Sequence, residues 1–280
     1  MPSKQQFEFV QQLARELTAG DISLPSLPDV VIKIRNLLEE ESCDFSQVSK
    51  VVRVDPVLVS KLFVFANSAY HNQTGEKIES LEAAISRLGL ELVRNTAMSL
   101  AVKQLLLAEQ HKSIVQHIRK VWARSMQFSC MSHAVAAQKG DLNQETAFMC
   151  GLLHEVGKLY ILTKAKDFPE FLGDQDSFND VLREWHSQVG RCIVESWGFP
   201  QPVVESMVPD EFLDEHTHLS PEMVDVVFVA GILLHESDAE PQELGAVPAC
   251  RKLGINEDSK HRISAAYQEK LASVRQSFAQ

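Results

Sequence analysis

Apolar residues recur along most of the chain at intervals of three and four, which is the spacing of helices that pack on one face. Val30, Ile34 and Leu38 follow this spacing near the N-terminus, and Val121 and Phe128 share a face near the middle. No stretch of the sequence alternates apolar and polar residues for long enough to predict a sheet. The pattern therefore predicts an all-α, multi-helix fold.

Residues that favour helix ends mark several of these helices. Asp44, Asp55 and Ser80 each precede an apolar segment and are predicted N-caps, because their side-chain oxygens accept bonds from the first helical N–H groups. Gly89 is predicted to end the helix that Ser80 begins. Asn67 is predicted to end the helix that Asp55 begins, in a left-handed conformation.

The stretch with the clearest chemistry is 151–158, where an apolar run carries His154 and Glu155 side by side between two glycines. Asn143 is predicted to cap the helix that bears this pair. An imidazole next to a carboxylate suits a divalent metal or general acid/base chemistry. The simplest alternative is a buried histidine bonded to a main-chain carbonyl, beside a glutamate that points outward. A two-residue pattern does not decide between them.

A third histidine follows on a separate helix. Residues 174–179 are polar and predict a turn, after which the spacing predicts a helix over 181–197. On that helix His186 shares a stripe with Gly190 and Ile193. We therefore expect His186 to face the interior.

Composition limits the classes of function. The 27 Lys and Arg residues against 38 Asp and Glu give a net charge of −11, which opposes direct binding of nucleic acid or of anionic membranes. The five cysteines have no metal-ligand or redox spacing, so we expect reduced thiols in a cytoplasmic protein. No secretory leader and no apolar run of membrane-spanning length is predicted.

Charge and loop signals predict four segments. An N-terminal helix occupies 1–20, and an N-terminal helical half covers 21–110. A charged stretch at 109–112 marks the start of a second helical half over 111–236. A linker and a terminal helix fill 237–280.

Motifs in both halves resemble those of the HDOD family, and the resemblance spans roughly residues 20–235. In the first half they are Leu-Pro-Ser-Leu-Pro-Asp at 24–29, Asp55-Pro56, Ala66-Asn67-Ser68, Ser-Leu-Glu-Ala-Ala-Ile at 80–85, Leu88-Gly89 and Arg94-Asn95. In the second half they are Trp-Ala-Arg-Ser at 122–125, the 151–158 stretch, His-Ser-Gln-Val-Gly at 186–190 and Trp-Gly-Phe-Pro at 197–200. The resemblance implies a bacterial protein with an HD-domain-like helical bundle, related to metal-dependent phosphohydrolases.

The same resemblance implies a degenerate metal site. Catalytic HD domains hold a metal with a histidine, an adjacent His-Asp pair and a distant aspartate. Here Arg124 stands at the first-histidine position, His154 and Glu155 at the pair, and Gly231 at the final aspartate. Of the additional histidines in dinuclear relatives, one is present as His186. The paired histidines are replaced by Asp210 and Glu211.

Two functions are consistent with this set of residues. A guanidinium repels a divalent cation, so we expect Arg124 to neutralise Glu155 and the domain to be a non-catalytic signalling or scaffold module that acts through another signalling protein. Lys158 is then a surface lysine near a helix end.

The alternative is a metal-dependent phosphohydrolase acting on a nucleotide or cyclic dinucleotide. His154, Glu155, His186 and Asp210 or Glu211 would hold Zn, Mn, Fe or Ni. In that case Arg124 or Lys158 would bind phosphate. No metal is favoured by the first hypothesis, and direct binding of nucleic acid or membrane is expected in neither.

Overall fold

All the regular structure that can be described is helical. The computed structural model describes residues 4–20, 22, 29–38, 40, 43–73, 75–107, 112–208, 220–235 and 244–278. Within these ranges there is no strand, which confirms the predicted all-α fold. The helices are α1 (Lys4–Ala19), α2 (Asp29–Leu38), α3 (Phe45–Val52), α4 (Pro56–Ala66), α5 (Leu81–Leu88), α6 (Leu90–Leu107), α7 (Lys112–Ala136), α8 (Gln144–Leu153), α9 (Val156–Ala165), α10 (Pro169–Gly173), α11 (Gln175–Ser196), α12 (Gln201–Glu205), α13 (Met223–His235), α14 (Pro248–Leu253) and α15 (Glu257–Phe278), with a 3₁₀ turn at Leu244–Ala246.

The chain divides into two compact units. The first comprises Met1–Pro25 and Leu106–Ser264, and the second comprises Ser26–Leu105 and Ala265–Gln280. In both units, no helix of the described residues is long and apolar enough to cross a membrane.

The second unit is built on helices whose ends follow the predicted capping residues. Asp44 and Gln47 form a reciprocal capping box at the start of α3. The Asp55 carboxylate accepts bonds from the first turn of α4, and Ser80 caps α5. Gly89 ends α5 with φ of +78°, a conformation that side chains with a Cβ rarely adopt.

Asn67 corrects one of the predictions in this unit. Its φ is −97°, so it is not left-handed. Its side-chain amide donates to the main-chain oxygens of Phe63 and Ile78, and its oxygen accepts from the N–H of Ile78. Asn67 therefore ties the end of α4 to the residues just before α5.

The first unit is organised around the long helix α7. It packs against α8, α9 and α13, and α11 packs against α9. The N-terminal helix α1 lies against α10 and α11. There Phe9 contacts the rings of Phe168 and Phe171, and Gln5 accepts bonds from the first N–H groups of α10.

The structure corrects two helix boundaries in this unit. The His154–Glu155 pair does not lie within a helix, because α8 ends at Leu153 and α9 begins at Val156. The helix that carries His186 begins at Gln175, six residues earlier than predicted, and Asp174 caps it. The predicted site residues Asp210 and Glu211, and residues 237–243 of the predicted C-terminal segment, lie outside the described residues.

Candidate functional site

His154 and Glu155 form a two-residue junction between α8 and α9. His154 keeps helical dihedrals and its N–H still bonds to the oxygen of Cys150, whereas Glu155 has φ −97° and ψ 9°. Those angles lie in a sparsely populated bridge region, where functional residues are frequent. The junction redirects the chain while both side chains stay buried, with 2% and 5% of their surfaces exposed. The alternative of an outward-pointing glutamate was therefore wrong.

Two glycines let neighbouring helices approach this junction closely. A Cβ added to Gly151 would lie 2.5 Å from the main-chain oxygen of Phe128 on α7. A Cβ added to Gly157 would lie 1.9 Å from the main-chain oxygen of His186 on α11. Only glycine permits such backbone contacts. The glycines that flank the pair in sequence therefore fix its position against both helices.

The junction opens into a pocket of about 530 Å³ bounded by α7, α9 and α11. It brings together four of the six predicted site residues, namely Arg124, His154, Glu155 and His186. The other two, Asp210 and Glu211, lie outside the described residues. The remaining lining residues are His117, Lys120, Val121, Phe128, Lys158, Leu162, Gln175, Asn179, Leu182 and Arg183.

The partner of the Glu155 carboxylate is Lys158, not the predicted Arg124. The Lys158 ammonium lies 2.7 Å from Oε1 of Glu155, which is the distance of a charge-assisted hydrogen bond. The Glu155 side chain is 6% exposed and that of Lys158 is 23% exposed. Lys158 is therefore a pocket residue and not the surface lysine that the sequence suggested.

Phe128 lies close both to Arg124 and to Gly231, the position at which the resemblance places the final aspartate. The Arg124 guanidinium carbon lies 4.9 Å from the centre of the Phe128 ring. The ring centre is 5.2 Å from that of His154, and its edge would be 3.7 Å from a Cβ on Gly231. An aromatic ring thus fills space next to the missing carboxylate.

The two site histidines lie edge to face. Their ring centres are 5.7 Å apart, with an angle of 85° between the planes. Nδ1 of His186 lies 2.9 Å from the oxygen of Leu182 and 3.0 Å from that of Arg183. Because a carbonyl oxygen only accepts, Nδ1 carries the proton. This tautomer leaves the lone pair of neutral His186 on Nε2.

These donors do not fit a catalytic HD metal centre. Among the residues that the structure describes, no three His, Cys, Asp or Glu side chains are placed to hold a metal ion. Glu155, the carboxylate among the described pocket residues, is already bound by the Lys158 ammonium. Arg124 and Gly231, at the positions of the first histidine and the final aspartate of catalytic HD domains, provide no metal ligand.

Sequence reasoning missed half of the pocket's cationic lining. Lys120 and Arg183 were not singled out, and neither was the lining residue His117. On α7, however, His117, Lys120, Arg124 and Phe128 recur at three- and four-residue steps and so share one face. The same spacing links Asn179, Arg183 and His186 on α11. These lining residues could have been predicted from the sequence, by following three- and four-residue steps along each helix from Arg124 and from His186.

Comparison with known families agrees with the motifs. The HDOD domain family matches residues 24–210, well over half of the chain. The chain belongs to the HDOD family. This membership confirms the resemblance found in the sequence.

Three solved structures share the fold at low sequence identity. A candidate metal-dependent phosphohydrolase from Shewanella amazonensis SB2B is 21% identical, with a TM-score of 0.81 over 97% of this chain and 99% of that one. An HDOD domain protein of unknown function from Geobacter sulfurreducens is 21% identical, with a TM-score of 0.70 over 96% and 98% of the two chains. A candidate signal transduction protein from Marinobacter aquaeolei VT8 is 18% identical, with a TM-score of 0.70 over 98% of this chain and 66% of that one.

A relative in sequence is the uncharacterized protein of Treponema pallidum (strain Nichols). It is 23% identical over an alignment of 209 residues that covers 70% of this chain. The chain spans 39% of that relative's length. The comparisons therefore show the family and the fold of this chain.

Proposed function

We propose that this HDOD domain is a non-catalytic signalling module that acts through another signalling protein. The observation that carries the proposal is the ion pair between Lys158 and Glu155. In the catalytic relatives, the residue at the position of Glu155 is a metal ligand. Here its carboxylate is neutralised by a group of this chain, so no metal is needed to stabilise the buried charge.

Electrostatics oppose a divalent ion at this position. Two unit charges 4 Å apart interact by about 4 kcal/mol at the effective dielectric of a protein surface, and a divalent ion doubles that value. A metal on Glu155 would have to displace the Lys158 ammonium and remain close to it. The Arg124 guanidinium in the same pocket adds to the repulsion. The candidate signal transduction protein among the structural neighbours supports the same class of function.

A metal-dependent phosphohydrolase is the second candidate. It is supported by the candidate phosphohydrolase among the neighbours and by the His186 tautomer, which is the one that metal-binding histidines use. In that case His154, Glu155 and His186, with Asp210 or Glu211, would hold Zn, Mn, Fe or Ni, and the substrate would be a nucleotide or cyclic dinucleotide.

Metal content and hydrolysis together separate the two functions. The full chain is purified without chelator, and its bound metals are measured by mass spectrometry. Hydrolysis of bis(p-nitrophenyl) phosphate is then followed with added Zn, Mn, Fe or Ni. We expect far less than one equivalent of metal and the same residual rate for the native chain and His154→Ala. A stoichiometric metal, together with hydrolysis that His154→Ala abolishes, would refute the proposal.

A further inference from the structure

The described residues that line the pocket carry the opposite charge to the chain as a whole. Four of its lining side chains are cationic, namely Lys120, Arg124, Lys158 and Arg183, and Glu155 is the one carboxylate among its lining residues in the described part of the chain. The whole chain has a net charge of −11. Cationic groups gathered in one concave site of an acidic protein create a local field that attracts anions.

We propose that this pocket binds an organic phosphate of about the size of a mononucleotide and holds it without hydrolysing it. Binding without hydrolysis rests on the non-catalytic function proposed above. The bound phosphate would be the signal that the domain senses.

The cationic groups converge from three helices. Lys120 and Arg124 come from α7, Lys158 from α9 and Arg183 from α11. A phosphate group offers several oxygens to such donors, and a guanidinium pairs with two of them at once. Glu155 and Lys158 together carry no net charge, so the net positive charge of the described lining comes from Lys120, Arg124 and Arg183. The Lys158 ammonium has three N–H donors and can bond to a phosphate while it keeps its bond to Glu155. The ion pair of Arg183 with Asp180 is about two-thirds exposed, so water screens it and breaking that pair costs little.

The rest of the lining suits an organic group attached to the phosphate. Val121, Leu162 and Leu182 provide apolar surface, whereas Gln175 and Asn179 provide amides for polar substituents. The volume of about 530 Å³ lies within the range of pockets that enclose small organic ligands. An inorganic ion would leave most of this space unfilled.

Binding has a direct consequence for signalling. A phosphate held by Lys120, Lys158 and Arg183 joins α7, α9 and α11. A ligand shifts a conformational equilibrium by the difference between its affinities for the two states. Bound ligand would therefore favour conformations in which the three helices stay together. A partner protein that binds the surface of these helices would then bind the liganded and unliganded domains with different affinities.

The test is calorimetric titration of the full chain with guanosine monophosphate, pyrophosphate and guanosine. We expect guanosine monophosphate to bind at one site, more weakly at higher salt, and guanosine not to bind.

Lys120→Gln should weaken binding by about tenfold to a hundredfold, the range for loss of one charged hydrogen bond. Arg119→Gln is the matched control, because Arg119 is the exposed neighbour of Lys120 and does not line the pocket. Arg183→Gln and Arg191→Gln form a second such pair on α11.

Three results would overturn the inference. The first is that neither guanosine monophosphate nor pyrophosphate binds, which leaves the non-catalytic function intact. The second is equal weakening by Lys120→Gln and Arg119→Gln, which places any binding outside the pocket. The third is hydrolysis of bound guanosine monophosphate, followed by ³¹P NMR, that His154→Ala abolishes. This third result would refute the non-catalytic function as well.

Discussion

Gly157 packs so closely against His186 that a Cβ on Gly157 would lie 1.9 Å from the main-chain oxygen of His186 and 2.7 Å from the N–H nitrogen of Gly190. The contact therefore joins the backbones of α9 and α11 directly. It keeps Glu155 and Lys158 beside His186, and these three residues line the pocket.

We predict that Gly157→Ala destabilises the chain by at least about 3 kcal/mol. Overpacking with extra carbon atoms costs about 1–3 kcal/mol when side chains can yield, and here the opposing atoms are backbone. The measurement is urea unfolding of the variant and the native chain.

Gly231→Ala is the matched control for this substitution. A Cβ on Gly231 would lie 3.7 Å from the Phe128 ring, which is an ordinary contact. Because alanine favours helix more than glycine by about 1 kcal/mol, this variant should be neutral or slightly more stable. Equal effects of the two substitutions would contradict the role assigned to Gly157.

The ion pair of Glu155 with Lys158 gives a second prediction. Lys158→Met should cost about 1–3 kcal/mol, because it leaves a buried carboxylate without its ammonium partner. The double variant Glu155→Gln with Lys158→Met should recover much of this loss, since no charge is then left buried. A double-mutant cycle in urea unfolding should give a coupling of at least about 1 kcal/mol.

An exposed pair on α11 serves as the reference cycle. Arg191 and Glu195 are 3.1 Å apart, but about half of each side chain is exposed. Their coupling should be well below about 1 kcal/mol. A Glu155–Lys158 coupling no larger than that of the reference pair would remove the main support for the non-catalytic proposal.

The sequence predicted helix ends better than it predicted the site. Asp44, Asp55, Ser80 and Asn143 cap helices as expected, because capping depends on residues within one turn. The break at His154 and Glu155 was missed because the apolar spacing continues through it. Its position is set by the approach of α9 to α11, which is a contact between residues distant in sequence.

The early start of α11 was missed for a related reason. Phe178 is fully buried, but most of the other residues in the first turn are exposed, so the segment has the polar composition of a turn. The partner of Glu155 was also chosen wrongly. The i,i+3 spacing of Glu155 and Lys158 is present in the sequence, but the resemblance to HD domains favoured Arg124 as the partner.

Cys150, which adjoins the site in sequence, should be chemically inert in the folded chain. Burial raises the pKa of the Cys150 thiol to about 12, so at pH 8 only about one molecule in 10⁴ is the reactive thiolate. Alkylation with iodoacetamide, followed by peptide mass spectrometry, should modify the partly exposed Cys43 and Cys192 first. Cys150 should react only when the chain unfolds in urea. Rapid modification of Cys150 in the native chain would contradict this.

The last prediction concerns the docking of α1 through Glu16. Its carboxylate accepts hydrogen bonds from Gln12, Tyr160 and Lys164. Burial raises the pKa of Glu16, but these bonds and the charge of Lys164 outweigh it, so the pKa lies below the usual 4.5. A carboxylate with a lowered pKa in the folded state stabilises the fold above its unfolded pKa. That stabilisation is lost as the pH falls through the folded value.

Glu16→Gln should therefore weaken the protection of α1 by about 1–2 kcal/mol at pH 7, and the difference from the native chain should shrink below pH 4.5. Hydrogen exchange of α1 peptides between pH 7 and about pH 3.5 measures both effects. Glu8→Gln is the control, because Glu8 on the same helix is half exposed and 3.6 Å from an exposed Lys4. It should change little at any pH. A difference between Glu16→Gln and the native chain that stays constant down to the lowest pH would show that the Glu16 charge does not hold α1 in place.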